Sequence, residues 1–521
     1  MAKTNDSAVE PPVVRVAAAS DPGASAPDLA SAAREAASAS TVLEVGPTGV
    51  AALDPLVLLT RGGRTAFHPN ASAAAVRDLV AGLEDGDLGD DVAAAVVDHD
   101  PDAGGLPRPD EGPLSVGVRR VLGRCGWVDP ADAAALPAFV ADAASENPAS
   151  IRDRVADLGL LGRGRGDGRT DEPVARAWDL ARETDGDPVV AVNANEADRS
   201  NDTDRTLLAG DAAAVVDASL AVASVVDATD VVVYCNDGDE RTARVARAAA
   251  ASVVEALDPG PSIQVVAGPD RFVAGETTMA LEAMEGNDRL EARIRPPSPA
   301  EHGLHGRPTV VHTPRTLAQV RAALVSPERF DPDDADPGTR LFTVSGDVDA
   351  PATVELPTGS SLAALREAVA LEGAFKMACV GGQFGGLTRS LDQVASAPAL
   401  AGADLGTEGA VELLNRERCV VAAVGRRARF ARDENCGRCV PCREGSTQLH
   451  RLLRAIYDGA YDRNALEELT RVMGATSTCE FGRAAARPVA TAVDEFETEF
   501  RAHADGRCPA GECVPGRAPR T

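Results

Sequence analysis

The hydrophobic pattern divides the chain into blocks of different period. Residues 1–40 are rich in Ala, Ser, Pro and Asp and poor in large apolar groups, which predicts a flexible arm. From Thr41, the runs VLEVG and PLVLLT, the turn RGGR and the amphipathic stretch SAAAVRDLVAGL predict a small α/β unit over residues 41–85. Residues 86–112 are acidic and rich in Gly and Pro, and read as a linker. Within residues 113–325, a helical lead-in gives way to alternation. The short apolar runs VVAVNAN, VVVYCND and SIQVVAG are separated by the helical stretches AAAVVDASLAVASVV and ERTARVARAAAASVVEAL. Continuous apolar strands alternating with helices predict a parallel sheet covered on both faces, with ligands at the carboxyl ends of its strands. After a Pro/Asp linker, residues 341–391 read strand, strand, helix, strand. Residues 405–505 read as helical; Val489, Val493, Phe496 and Phe500 fall on one helix face.

Charge narrows the possible partners. The 521 residues carry a formal net charge of −28, which excludes a general nucleic-acid binder and an anionic membrane surface as partner. Apart from Lys3 and Lys376, every basic residue is arginine. An Asp-rich, Lys-poor chain suits a cytoplasm of high ionic strength, the halophilic condition, where salt screens self-repulsion. No apolar run approaches the roughly 20 residues of a membrane span, and the N-terminus lacks a charged-then-apolar secretory pattern. The expected location is cytoplasmic.

The ten cysteines are unevenly spread. Cys125, Cys235, Cys379 and Cys419 stand alone and read as small buried hydrophobes. Cys436, Cys439 and Cys442 crowd one loop, where Gly437 and Pro441 let the chain wrap around a common centre. Cys479 in STCEFG is the candidate fourth ligand. A three-plus-one grouping fits one [4Fe–4S] cluster better than zinc, which favours paired C-x-x-C ligands. His503, Cys508 and Cys513, in and before CPAGEC of the tail 506–521, could bind zinc with a fourth ligand from elsewhere; free thiols are the alternative.

CGRCVPCREGSTQLHRLL, followed by TSTCEFGRAAARPVATAVDEF, resembles the flavoprotein subunit of NADH dehydrogenases, the F subunit of respiratory complex I, and the β subunits of NAD-linked hydrogenases and formate dehydrogenases. LGLLGRGRGDG resembles that family's glycine-rich loop, NANEADRSNDTDR its flavin-side segment, and GPDRFVAGETTMALEAMEGNDR its nucleotide-cleft segment. The resemblance covers roughly residues 115–505, in order. It implies an α/β flavin and nucleotide domain (113–325), a β-grasp, SLBB-like module (341–391), and a helical bundle (405–505) with the cluster on the four cysteines. Before these it implies a thioredoxin-like domain (41–85). The implied activity is electron transfer from NADH through FMN to the cluster and on to other redox subunits of a complex. The implied cofactor-binding residues are Gly162, Arg163, Gly164, Arg165 and Gly166 of the loop, Asn193, Asn195 and Glu196 at a strand end, Gly275 and Glu276, and His312 and Thr313. Arg163 and Arg165 are the expected phosphate contacts, through guanidinium hydrogen bonds.

The chain also departs from that pattern. In VGPTGVAALDPLVLL, Pro47 and Ala51 stand where the family's N-terminal [2Fe–2S] domain has cysteines, so that domain cannot hold a cluster by four cysteines. Gly168 and Ser298 replace phenylalanines expected to stack on the nicotinamide nucleotide, and His312-Thr313 replaces an Asn-Asn pair. Each lost stacking partner costs about 1 kcal/mol of affinity. The alternative is therefore a cluster-bearing scaffold or redox subunit that has lost NADH oxidation. Taken singly, Glu196 and Glu276 also read as helix-start acids, and His312 as a structural histidine.

Overall fold

The computed structural model describes residues 11–19, 26–257 and 261–513. Its first unit comprises β1 (Val13–Ala17), α1 (Ala26–Ala36), β2 (Thr41–Val45), β3 (Leu56–Arg61), β4 (Arg64–Pro69), α2 (Ala73–Glu84) and β5 (Ala95–Asp98). The sheet order is β2-β1-β3-β4-β5, with β1 parallel to β2 and antiparallel to β3. The expected flexible arm is thereby corrected, because β1 is an interior strand. Val14 and Val16 alternate inward, and α1 buries Leu29, Ala30 and Ala33 in the same core. An alanine-rich helix packs closely while keeping its composition low in large apolar groups, which is why the arm reads as flexible. The unit also runs past residue 85, since β5 lies inside the expected linker and pairs with β4. Residues 1–10 and 20–25 of the expected arm, and 514–521 of the tail, lie outside the described residues.

The central unit contains α3 (Val140–Glu146), α4 (Pro148–Asp157), α5 (Ala175–Glu183), β6 (Val189–Ala194), α6 (Thr203–Gly210), α7 (Ala212–Val226), β7 (Asp230–Asn236), α8 (Glu240–Ala256), β8 (Ser262–Gly268), α9 (Thr277–Met284), β9 (Thr309–His312) and α10 (Pro314–Val325). Its sheet is parallel throughout, in the order β8-β7-β6-β9. Every residue of β6 is buried, as its unbroken apolar run requires. Helix α7 is buried almost all round, which matches its lack of a polar face.

A second mixed sheet follows, built from β10 (Thr339–Gly346), β11 (Ala352–Pro357), β12 (Phe375–Val380), β13 (Gly386–Thr388) and, beyond α11 (Ala397–Gly402), β14 (Ala410–Asn415). Its order is β11-β10-β14-β12-β13. Two expectations change here. Strand β14, expected within the helical domain, completes the sheet between β10 and β12. The stretch expected as a helix between β11 and β12 forms 3-10 turns over Leu362–Ala368. The last unit holds α12 (Val420–Glu434), α13 (Val440–Ala455), α14 (Arg463–Thr476), α15 (Glu480–Ala484) and α16 (Arg487–Ala504). Val489, Val493, Phe496 and Phe500 share its core with Leu449, Leu453 and Met473. Among the described residues no single helix is long and apolar enough to cross a membrane.

Candidate redox site

The cysteine loop joins α12 to α13. Cys439 caps α13, Cys442 lies in its first turn, and Cys479 caps α15. Burial pushes the Cys442 thiol up, reinforced by the nearby Cys439, Cys479 and Cys436. Burial pushes Cys479 up to about 12, with nearby Glu276 adding to the effect. Burial also opposes ionisation of Cys439, but backbone N–H groups of Thr478 and Cys442 overcome it and hold that thiol below its usual value. Thiols gathered in this way are suited to a cationic centre, since metal binding releases their protons.

Beneath this loop, Phe272, Phe384, Phe430 and Phe481 pack edge to face, with centroids 4.8 Å apart for Phe384–Phe481 and 5.1 Å for Phe272–Phe430. Arg165 lays its guanidinium on the Phe272 ring at 3.9 Å and donates to the Phe272 carbonyl. A chain poor in aromatics thus gathers four of them at one place, between the thiols and the glycine-rich loop.

A cleft of about 770 Å³ opens on the other side of Arg165. Its walls come from Arg165 and the loop 167–172, from Glu276 and Thr277, from Arg293, Arg295, Pro296, Ser298 and Glu301, from Ala401 and residues 404–408, and from Thr478, Cys479, Glu480, Arg483 and Arg487. Gly168 and Ser298 line it, and no aromatic side chain does. Burial pushes the Glu408 carboxyl up to about 7, partly offset by Arg165, whose Nε lies 3.7 Å from Glu408 Oε2.

The expected cofactor residues divide between this cleft and a packed floor. Arg165 and Glu276 border the cleft. Glu276 Oε2 accepts from the Thr278 and Met279 amides and so caps α9, while Oε1 lies 3.7 Å from Arg295. Asn193 donates to the carbonyls of Gly166 and Gly275, tying the loop to the turn before α9. Asn195 accepts from Asn236 and donates to the Pro269 carbonyl. These groups, with Glu196, Thr313 and Arg315, surround a remnant pocket of about 10 Å³. Arg315 borders it: Nη2 lies 2.7 Å from Asp204 and 3.6 Å from Glu196, and a Cβ on Gly164 (φ +86°) would fall 2.4 Å from it. Glu196 Oε2 has no hydrogen-bond partner there.

Three expectations fail on geometry. Arg163 is not open to a phosphate. It is buried, donates to the carbonyls of Leu161, Pro337 and Thr339, and pairs with Asp336 at 3.2 Å. His312 has no exposed side-chain surface and is held between Trp178 and Asp167. Gly162 has its backbone committed: its N–H donates to the Glu172 carbonyl and its carbonyl accepts from the Asp171 amide, each at 2.9 Å. Thr313 caps α10 and donates to the Arg163 carbonyl at 2.6 Å.

A second donor set lies where the tail returns to α12. The ligand atoms of Cys419, His503, Cys508 and Cys513 all lie within 4.8 Å of one another. Cys419, expected to be an inert buried thiol, is the fourth member, and its Sγ is 3.1 Å from His503 Nε2. His503 Nδ1 is 2.7 Å from the Glu499 carbonyl, to which it donates, leaving Nε2 free to accept or to ligate. No spacing rule links residue 419 to residue 503, so the sequence alone carried no signal for it.

Residues 155–322 match the family described as the Nuo51 FMN-binding domain, and residues 422–503 match the NADH-ubiquinone oxidoreductase-F iron-sulfur binding region. The NADP-reducing hydrogenase subunit HndC of Solidesulfovibrio fructosivorans is 30% identical over 430 residues, covering 76% of this chain and 86% of that protein. The NADH-quinone oxidoreductase F subunit of Streptomyces coelicolor is 30% identical over 387 residues, covering 68% and 83%. Among solved structures, the NAD+-reducing [NiFe]-hydrogenase in its H2-reduced state superposes with a TM-score of 0.65 at 25% identity, over 94% of this chain and 85% of the matched one.

Proposed function

The chain belongs to the family of the NADH-quinone oxidoreductase F subunits and their hydrogenase counterparts, and we propose that it carries electrons from NADH, by way of FMN, to a [4Fe–4S] cluster on Cys436, Cys439, Cys442 and Cys479. One observation carries this reading: Cys479 belongs to the four-thiol group and also lines the 770 Å³ cleft. Cleft and cluster site are therefore adjacent compartments with a shared wall.

The residues present fit both groups. The cleft has the volume of a cofactor site. Arg165, Arg295 and Arg483 on its walls offer planar guanidinium donors for a phosphate. When bound, FMN supplies the conversion of a two-electron donor into single-electron steps. The chain's own part is to hold that group against Cys479, to keep the intervening space filled by Phe272, Phe384 and Phe481, and to exclude water from it. The Cys419, His503, Cys508 and Cys513 set fits a structural zinc, with the tetrahedral Cys₃His donor chemistry that closes such sites.

Further features support finer assignments. The parallel β1–β2 pair, the β3–β4 hairpin and α2 support a thioredoxin-like reading of residues 13–98, and the β11-β10-β14-β12-β13 sheet supports an SLBB-type β-grasp. Ten unbridged cysteines and strong acidity support a cytoplasmic, halophilic setting. The relatives' names place them in multi-subunit enzymes, and we extend that setting to this chain.

A second reading, a cluster-bearing subunit that has lost NADH oxidation, is favoured by two features: the cleft has no aromatic wall, and the strand-end pocket beside Arg315 measures only about 10 Å³. Anaerobic titration of purified protein with NADH separates the two. Bleaching of flavin absorbance, followed by a reduced-cluster EPR signal, supports the first. Intact cluster without flavin or NADH response supports the second.

A further inference from the structure

Two buried carboxyls join the cleft to a separate cavity on the far side of the strand ends. Glu408 lines the cleft of about 770 Å³ and also the strand-end pocket of about 10 Å³. Glu196 lines that pocket and also an outer cavity of about 570 Å³. The outer cavity lies over the carboxyl ends of β6 and β7, with Asn236 and Arg205 on one wall and Ala19, Pro47 and Ala51 of the first unit on the other. Arg199, whose side chain is 90% exposed, marks its opening to solvent. The order is therefore cleft, Glu408, strand-end pocket, Glu196, outer cavity, solvent.

The strand-end pocket is built for a bridging water. Glu196 Oε2 and Arg315 Nε are buried there without hydrogen-bond partners. Arg315 Nη1 donates to the Glu408 carbonyl at 2.6 Å, and Nη2 lies 3.6 Å from Glu196, so one guanidinium holds both residues in place. A polar space of that size takes about one water. Proton transfer between acid and base runs through one intervening water as well as by direct contact.

Glu408 is also the carboxylate left free to titrate. Asp167, Asp171, Glu172, Glu276 and Glu301 on the cleft walls are each held by a hydrogen bond. The Glu408 carboxylate accepts none among the described residues, and Arg165 stands 3.7 Å away. Burial pushes it up to about 7, with Asp198 and Glu480 adding to the effect and Arg165 and Arg487 opposing it. Burial and Asp204 hold Glu196 well above the usual carboxylate range, against Arg315 and Arg165. Glu408 thus exchanges a proton near neutral pH, beside a second carboxyl that readily carries one.

Resting on the electron-transfer reading above, we propose that Glu408 and Glu196 carry the proton of NADH oxidation from the cleft to the outer cavity. NADH yields NAD+, two electrons and one proton. The electrons leave singly by the cluster, and the proton stays behind in a cleft occupied by the reacting groups. The Glu408 carboxylate takes it up and passes it through the strand-end pocket to Glu196, which releases one to solvent in the outer cavity. Only O–H bonds form and break, and each carboxyl returns to its starting form. Pro47 and Ala51 carry no titratable group, so that wall of the outer cavity retains no proton.

The test uses anaerobically purified full-length protein, with NADH as donor and ferricyanide as acceptor, a couple that releases one proton per NADH. Turnover is read at about pH 7, where Glu408 titrates, in H2O and in D2O. Glu408→Gln and Glu196→Gln are each expected to slow it about tenfold and to enlarge the solvent isotope effect, with flavin and iron content unchanged. Formate from solution reaches the outer cavity and should restore much of the rate to Glu196→Gln, which a merely structural role would not allow. Infrared difference spectra between oxidised and dithionite-reduced protein give a readout independent of turnover: the wild type should show a carboxyl C=O band that Glu408→Gln abolishes. Wild-type rates and isotope effects in both variants, slowing without isotope effect or formate rescue, or a C=O band that is missing from the wild type or survives in Glu408→Gln, overturn the path. So does slowing in Glu408→Gln alone, because the proton would then leave by the cleft mouth. A wild type without flavin, or with flavin that NADH does not bleach, sinks the electron-transfer reading itself and is told apart by its absorbance spectrum.

Discussion

Trp178 Nε1 donates a 2.8 Å hydrogen bond to His312 Nε2, and the opposite ring nitrogen, Nδ1, lies 2.9 Å from Asp167 Oδ2. Indole N–H can only donate, so Nε2 accepts and the ring proton sits on Nδ1, pointing at Asp167. Asp167 Oδ1 in turn accepts from the Arg169 amide. This chain fastens the glycine-rich loop to β9 and α5 from beneath.

His312→Leu is expected to destabilise the protein by about 3 kcal/mol, because it strands the buried Asp167 carboxylate and the Trp178 N–H together. Trp178→Phe, which removes only one hydrogen bond, should cost about 1–2 kcal/mol including lost packing. Denaturation measures the cost, and hydrogen exchange should show residues 162–170 opening first in the His312 variant. Wild-type stability in His312→Leu would show that the chain is not structural.

Cys439→Ser should bleach the brown colour and remove most of the about four irons that a [4Fe–4S] cluster brings. Because the same loop orders the start of α13, residues 435–445 should lose hydrogen-exchange protection with it. Stoichiometric zinc without iron in the wild type would contradict the assignment.

Cys419→Ser tests the second donor set. It should release about one zinc per chain, as expected for a closed four-ligand site, while leaving iron content unchanged. Protease should then clip the chain between Asp505 and Cys513, where the tail would lose its anchor on α12. Zinc retained in this variant would place the fourth ligand elsewhere.

The fold was most legible where a single physical rule governs a segment. The runs at β6 and β7 are nearly continuous in apolar residues because both sheet faces are covered there, whereas β8, at the sheet edge, carries Ser262 and Gln264 and is only partly buried. Strand β1 was hidden because its five residues sit in an alanine- and serine-rich context whose packing depends on small size instead of hydrophobicity. Strand β14 was hidden because its pairing with β10 joins residues about seventy positions apart. The site follows the same division. Cys436, Cys439 and Cys442 share a loop, so spacing alone groups them. Arg163 and Arg165 are two residues apart and look equivalent in sequence, yet one is locked to Asp336 and the other faces the cleft, a difference that only tertiary packing sets.

Glu408 gives the cleft a pH signature. Burial holds its carboxyl up to about 7, against 4.5 for the free side chain, and its side chain is only 13% exposed, so solvent screens it little. Between those two values the folded chain retains a proton that the unfolded chain has released. The folded state therefore loses stability as pH rises from 4.5 to 7 and levels off above, by about 3 kcal/mol in all for this group. Glu408→Gln puts a permanently neutral amide of the same shape in its place and removes that slope. The other titrating groups, Glu196 among them, are common to both proteins and largely cancel in the difference. Wild type and variant should thus be nearly equal in stability at pH 4.5, with the variant about 3 kcal/mol more stable at pH 8. Thermal midpoints taken at one scan rate and one salt concentration across that range would show it. Parallel profiles for the two proteins would mean that Glu408 is ionised in the folded state at neutral pH, with Arg165 compensating its burial in full.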